Sequence, residues 1–224
     1  MTRPFDIVTF DCYGTLIDWE AGIAAAFQAA AAADGVRIDP AAALRALLDT
    51  TPQAEAAEYR RYRDVLTDAA VRVGARLGWK MTRERASFLP ESLPRWRPFP
   101  DVNDALERLS SAGYDLGILS NVDDDLLAGT RRNFTVHFPL LVTAEQVRAY
   151  KPAPPHFTTA RERIGARRWL HAAQSYFHDV TPAVAHGIPV AWINRKGEPP
   201  TGAARADREL RTLTGLADWL APRA

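Results

Sequence analysis

Four places in this chain carry polar groups that could act together on a small molecule: Asp11, the pair Ser120-Asn121, Lys151 and Asp179. An aspartate is ionised at pH 7 and, held by hydrogen-bond donors, can serve as an oxygen nucleophile. A lysine beside it can hold that carboxylate and offset its charge, here on the proline-stiffened stretch "AYKPAPPHF". The hydroxyls of Thr15 and Ser120 and the amide of Asn121 can orient such a group. Asp179 is a second carboxylate, able to ligate a metal, orient Lys151 or activate water. Taken singly, each has an ordinary explanation. Asp11 could cap a turn, "SNVDDDLL" could start a helix with Asp123, Asp124 and Asp125 as first-turn acids, and Lys151 could be a solvated side chain. Position outweighs these explanations, because all four places follow or end a short apolar run.

Those runs are Ile7 to Phe10, "YDLGILSN" (114–121), "PLLVTA" (139–144) and "QSYFHD" (174–179), with a fifth at "PVAWIN" (189–194). Short, mainly apolar segments are what parallel strands covered on both faces require. Helical patterns separate them at 102–111, 126–133, 155–164 and 182–186, and "LTGLADWLAPRA" reads as a closing amphipathic helix. The alternation predicts an α/β fold with a doubly wound, mainly parallel, Rossmann-like sheet. In such a sheet ligands bind at the carboxyl ends of the strands, where the four polar places lie. His178 adjoins Asp179, and strand alternation sends the two to opposite faces, which favours Asp179 for the crevice.

Residues 19–90 break the alternation with helix formers such as "WEAGIAAAFQAAAAADG" and "QAEAAEYRRYRDVLTDAAVRVGARLG". They read as an inserted helical cap domain spanning 17–97, with 1–16 and 98–224 forming the core. The stretch "LPESLPRWRPFPD" (89–101) carries four prolines and is expected to be a stiff linker. In the cap, Arg45 or the cluster "EYRRYRD" (58–64) could present a cation to an anionic substrate. The alternative is a solvated face with pairs such as Glu58–Tyr62 and Arg60–Asp64.

Bulk composition narrows the partners. With 28 Lys+Arg against 27 Asp+Glu, the net charge of +1 gives no reason to expect nucleic acid or an anionic membrane. The apolar stretch Ala21 to Ala33 is shorter than the ~18 residues a membrane-spanning helix needs, and no secretory leader fits the N-terminus. Cys12 is the only cysteine, so no intrachain disulfide can form and a reducing cytoplasm is the expected home. Its place beside Asp11 makes it notable, though core packing explains it.

As a set, "DCYGT", "SN", "KP" and the late "HD" resemble the motifs of the haloacid dehalogenase (HAD) superfamily, spread from Asp11 to Asp179 with a cap inserted after the first. The resemblance implies Asp11 as nucleophile, with Thr15, Ser120, Lys151 and Asp179 around it. Phosphatases of that superfamily resemble D-x-D-x-T, the second Asp protonating the leaving alkoxide. Here Tyr13 stands in its place, and D-x-Y-G-T resembles the 2-haloacid dehalogenase branch, whose halide leaving group needs no proton. The implied reaction is displacement of halide from a short 2-haloalkanoic acid by Asp11, giving an ester that water hydrolyses to the 2-hydroxy acid. That branch needs no cofactor. The resemblance also implies contacts to a small anionic substrate or halide from Tyr13, Asn121, Arg45, Ser175 and Tyr176, and it leaves room for a homodimer.

Two departures stand out: Ala46 falls where the branch has an Arg, and Tyr176 where it has an Asn that positions water. The alternative is a magnesium-dependent phosphohydrolase or phosphonatase-like enzyme, with Mg²⁺ held by Asp11, the Tyr13 backbone carbonyl and Asp179. A catalytically idle binding protein on the same fold is a third class, against which the intact Asp11, Lys151 and Asp179 argue.

Overall fold

The computed structural model describes residues 3–49 and 58–222. It divides into two compact units. One comprises residues 1–17, 98–121 and 134–224; the other comprises 18–97 and 122–133.

The first unit is built on a six-stranded parallel sheet in the order β3-β2-β1-β4-β5-β6. The strands are β1 Ile7–Phe10, β2 Asp115–Ser120, β3 Leu140–Thr143, β4 Trp169–Ala173, β5 Val190–Ile193 and β6 Arg208–Leu210. Strands β1, β4 and β5 are buried at every residue. That explains why they read as apolar runs without alternation. On one face, Ile7, Leu119, Leu140, Trp169, Val190 and Trp192 pack with Phe157, Ala160 and Ile164 of helix Pro155–Ile164. Helix Val102–Ser111 packs on the C-terminal helix Leu213–Leu220, with Arg108 bonding Asp218 and Tyr114 Oη donating to the Leu220 carbonyl. Gly117 is needed where β2 passes between its neighbours. A Cβ there would meet Leu140 Cβ at 3.0 Å and Thr9 Cγ2 at 3.1 Å, so the glycine leaves room for the Thr9 side chain.

The sequence places the fourth strand too late. Residues 174–179 are not a strand; β4 is the preceding "WLHAA", and Tyr176–Val180 form one π-helical turn. Both segments are short and apolar, and periodicity alone does not separate such a strand from a helical turn. The edge strand β6 was not anticipated. Its "REL" is half exposed and too polar to read as a strand.

The second unit is helical, with Trp19–Ala33, Pro40–Leu48, Tyr62–Arg76, Arg83–Ala86 and Phe88–Ser92. Asp18 and Asp39 cap the first two helices by accepting the Ala21 and Ala41 N–H groups. Residues 53–57 of the expected third helix lie outside the described residues, and residues 58–61 precede its start. The proline-rich stretch is not an extended linker. Phe88–Ser92 is α-helical and Leu93–Arg95 a 3₁₀ turn, since Pro at an early helical position gives up only an N–H that has no partner there.

Residues 122–133, which the sequence division leaves in the core, group with the helical unit. The buried Asp123 carboxylate accepts the N–H groups of Tyr62 and Arg63, capping helix Tyr62–Arg76 rather than starting its own. Asn133 donates to the Pro94 and Trp96 carbonyls. Among the described residues, no helix is long and apolar enough to cross a membrane.

Candidate functional site

Asp11 lies one residue beyond β1, and its N–H still bonds the Ala172 carbonyl of β4, so the sheet fixes its backbone. The chain then turns: Gly14 has φ +99°, a conformation that side-chain-bearing residues rarely adopt, and Leu16 N–H returns to the Cys12 carbonyl. That turn brings Thr15 back over Asp11. Thr15 Oγ1 accepts the Gln174 N–H at 2.9 Å, which leaves its own proton for Asp11 Oδ2 at 3.0 Å. Lys151 Nζ donates to the other oxygen, Oδ1, at 2.9 Å. Both oxygens of a carboxylate with 8% exposure are therefore held.

Lys151 itself is 1% exposed. Its remaining two protons go to Asp179 Oδ1 at 2.6 Å and the Leu119 carbonyl at 2.9 Å, so all three N–H donors have acceptors. Asn121 meets Lys151 at its backbone. Its amide clasps the Lys151 backbone, accepting the Lys151 N–H at 2.6 Å and donating to its carbonyl at 3.1 Å, next to a cis Lys151-Pro152 peptide. Asn121, expected to contact substrate, holds the lysine's backbone.

Asp179 reaches Lys151 from the π-helical turn, not from a strand end. Ser175 caps that turn, accepting the His178 N–H, while its carbonyl accepts the Asp179 N–H. Ser175 Oγ lies 3.0 Å from His178 Nδ1, so the two expected candidates Ser175 and His178 bond each other. Tyr176 belongs to the core: its ring packs edge-on against Trp192 and its hydroxyl donates to the Gly202 and Ala204 carbonyls.

Of the remaining candidates, Ser120 is buried and its Oγ has no hydrogen-bond partner among the described residues. Tyr13 forms an isolated bridge with Ile17 in the turn. Arg45 is exposed and pairs with Asp39 of its own helical unit. Arg60 pairs with Asp68, Asp64 with Arg83, and Arg61 and Arg63 with Asp125. Cys12 is a buried free thiol; burial, reinforced by the Asp11 charge, pushes its pKa well up.

The electrostatics follow from one ammonium between two carboxylates. Burial pushes the Asp11 carboxyl above its ordinary pKa, with Lys151 pulling it back and Asp179 adding to the rise. Burial acts the same way on Asp179, but Lys151 and His171 together outweigh it and hold that carboxyl well below the usual range. Lys151 is raised because the two carboxylates overcome its desolvation.

Two buried histidines escaped the sequence reading. His171 Nε2 lies 3.0 Å from Asp179 Oδ1, and His156 Nε2 lies 3.2 Å from the Ser120 carbonyl. Burial, with Lys151 nearby, lowers the His156 pKa to about 3, so it is neutral. The signal for His171 was a polar residue inside an apolar run, and Thr9 in β1 gave the same signal. Assigning the strand to 174–179 hid both.

Among the described residues no group of three or more His, Cys, Asp and Glu side chains is arranged to hold a metal ion. Asp11 and Asp179, which the alternative assigns to Mg²⁺, are bridged by the Lys151 ammonium.

Comparison with known proteins adds an independent line. The family model for haloacid dehalogenase-like hydrolases matches residues 5–173. An (S)-2-haloacid dehalogenase of Pseudomonas putida is 26% identical over 219 residues, covering 95% of each chain. The haloacetate dehalogenase H-2 of a Moraxella species is 28% identical over 198 residues, 87% of this chain and 88% of that one. The solved L-2-haloacid dehalogenase of Xanthobacter autotrophicus with chloropropionic acid covalently bound superposes with a TM-score of 0.84. It is 20% identical and the match covers 98% of this chain and all of that one, so the two share a fold.

Proposed function

The chain belongs to the haloacid dehalogenase-like hydrolases, and from that premise we propose that it hydrolyses the carbon–halogen bond of a short 2-haloalkanoic acid. The observation that carries this reading is the Asp11 carboxylate, fixed at both oxygens by Lys151 and Thr15, with a tyrosine two residues on where a proton-donating carboxyl would be needed for an alkoxide leaving group. Relatives that match over most of their length are named as dehalogenases of 2-haloacids and haloacetate.

An Asp11 oxygen attacks the carbon bearing the halogen, the carbon–oxygen bond forms as the carbon–halogen bond breaks, and halide leaves with the electron pair. A desolvated carboxylate held by two donors is oriented for that displacement. Water then adds to the Asp11 ester carbonyl, giving the 2-hydroxy acid and restoring the carboxylate. Asp179 Oδ2, which is buried and has no hydrogen-bond partner among the described residues, is the base assigned to that water. Ser120 Oγ, buried and equally unpartnered, is the donor assigned to the substrate carboxylate. On this reading the enzyme works without metal or organic cofactor, as a homodimer in the cytoplasm.

The test uses chloroacetate, L-2-chloropropionate and an aryl phosphate, with and without chelator, assaying halide and phosphate. Chelator-resistant halide release is expected, lost in Asp11→Asn. A single turnover in ¹⁸O-water should place the label on Asp11 before it appears in product. Magnesium-dependent phosphate release without halide would overturn the proposal.

A further inference from the structure

Behind Asp179 runs a line of buried polar groups that the reaction scheme above does not use. Thr9, two residues before Asp11 on β1, is paired in register with His171 of β4. Side chains two apart on a strand share a face, so Thr9 and Asp11 project from the same side of the sheet, as do Trp169 and His171. Trp169 Nε1 donates to Thr9 Oγ1 at 2.7 Å, Thr9 Oγ1 lies 2.8 Å from His171 Nδ1, and His171 Nε2 lies 3.0 Å from Asp179 Oδ1. Thr9 and His171 have no exposure, and Phe157 packs edge-on against the His171 ring at 5.6 Å.

The donor inventory assigns the protons. An indole N–H can only donate, so Thr9 Oγ1 accepts from Trp169; the Asp179 carboxylate can only accept, so the hydrogen of the His171–Asp179 bond sits on Nε2, which in a neutral ring leaves Nδ1 to accept from Thr9. The arrangement thus directs the Nε2 hydrogen at Asp179. Asp179 Oδ1 thus accepts from two sides, His171 and Lys151, while Oδ2 has no partner among the described residues.

We propose that His171 is a positioning residue for the reaction, its Nε2–H fixing the rotation of the Asp179 carboxylate so that Oδ1 holds Lys151 and Oδ2 is left free. The proposal rests on the dehalogenase reading for its consequence and on geometry alone for its arrangement. A buried histidine is a costly way to fill space. An aliphatic side chain there would need no partners, whereas this ring requires Thr9, Trp169 and Asp179 to satisfy it. Without the Nε2–H, nothing distinguishes the two oxygens of Asp179 except Lys151. The carboxylate can then turn, moving both the lysine that orients Asp11 and the oxygen assigned to water.

Two amides separate positioning from space-filling. Glutamine places an N–H near the Nε2 position. Asparagine reaches only as far as Nδ1, so it can satisfy Thr9 but not Asp179. His171→Asn is expected to lower kcat for halide release by roughly 10- to 100-fold, the scale of a misplaced catalytic group, with KM changed less than about threefold. His171→Gln is expected to stay within about threefold of wild type. Equal losses in both variants, or wild-type kcat in His171→Asn, would overturn the proposal. Thr9→Val, which keeps the volume and removes the proton that sets the tautomer, provides the same reading if the histidine variants do not fold. It should lower kcat without raising KM, and an unchanged kcat would count against the proposal. The ¹⁵N spectrum of wild-type His171 is independent of any substrate: Nε2 protonated with Nδ1 bare is expected, and the opposite tautomer overturns it. A wild type that releases no halide but shows the expected tautomer would mark failure of the dehalogenase reading alone, with His171 then tested on whichever hydrolysis the protein performs.

Discussion

Replacing Lys151 with methionine isolates the central interaction. Methionine fills most of the buried stem's volume but leaves Asp11 Oδ1 without a donor and Asp179 Oδ1 with His171 alone. Removing one partner of a buried ion pair costs about 3–5 kcal/mol, because the remaining charge is desolvated without compensation. Against a total stability of about 5–15 kcal/mol, the variant at pH 7 should be folded but marginal. Its pH dependence is the sharper test. Without the ammonium, burial raises at least one carboxyl further above its unfolded value. A group whose folded pKa exceeds its unfolded pKa binds more protons when folded, so its contribution improves as pH falls and is lost as pH rises through the folded pKa. Between pH 7 and pH 5 the deficit relative to wild type should shrink by up to about 1.4 kcal/mol per pH unit. Urea denaturation of both proteins at pH 7, 6 and 5 measures this, and halide release should be lost throughout. A deficit below about 1 kcal/mol at pH 7, or one that does not shrink on acidification, would refute the charge arrangement described here.

Tyr176→Phe removes the hydroxyl bonded to the Gly202 and Ala204 carbonyls and should cost about 1 kcal/mol in urea denaturation while leaving kcat unchanged. A large fall in kcat would return Tyr176 to the site. Asp6 is held to a pKa of about 2, first by its hydrogen bonds to Arg168. A depressed folded pKa gives stability that is present above the unfolded value and lost as pH falls through the folded one. The melting-temperature gap between wild type and Asp6→Asn should therefore be present at pH 6 and close as the pH approaches 2.

Residues singled out by side-chain type and by their place after an apolar run were legible in the sequence: Asp11, Thr15, Lys151 and Asp179 do converge. Those whose role depends on which backbone they meet were not. Asn121 looked like a substrate contact because its amide is versatile, and only the approach of β2 to the Lys151 loop shows that the lysine backbone takes both ends of it. Asp179 was found in spite of a misplaced strand, since its distance from Ser175 suits either an extended segment or one helical turn. In the turn the Tyr176 hydroxyl bonds the Gly202 and Ala204 carbonyls while the Asp179 carboxylate bonds Lys151; strand alternation would likewise have sent these two residues, three apart, to opposite faces. His171 required pairing β1 with β4 before its partners existed at all.

That same donor inventory sharpens the meaning of Tyr13. A phosphate ester or other alkoxide leaving group needs a proton from a nearby acid. Lys151 has all three of its protons committed to Asp11, Asp179 and Leu119. The Thr15 proton goes to Asp11, because Gln174 supplies the other bond to that oxygen. His156 is kept neutral by burial, with its Nε2–H turned to the Ser120 carbonyl. Cys12 is pushed well above its ordinary pKa. The hydroxyl of Ser120 and the phenol of Tyr13 are far weaker acids than the carboxyl they would have to replace. A halide departs with its electron pair and asks for no proton. The site is therefore matched to its leaving group by the acids it has already committed elsewhere as much as by the one missing at position 13.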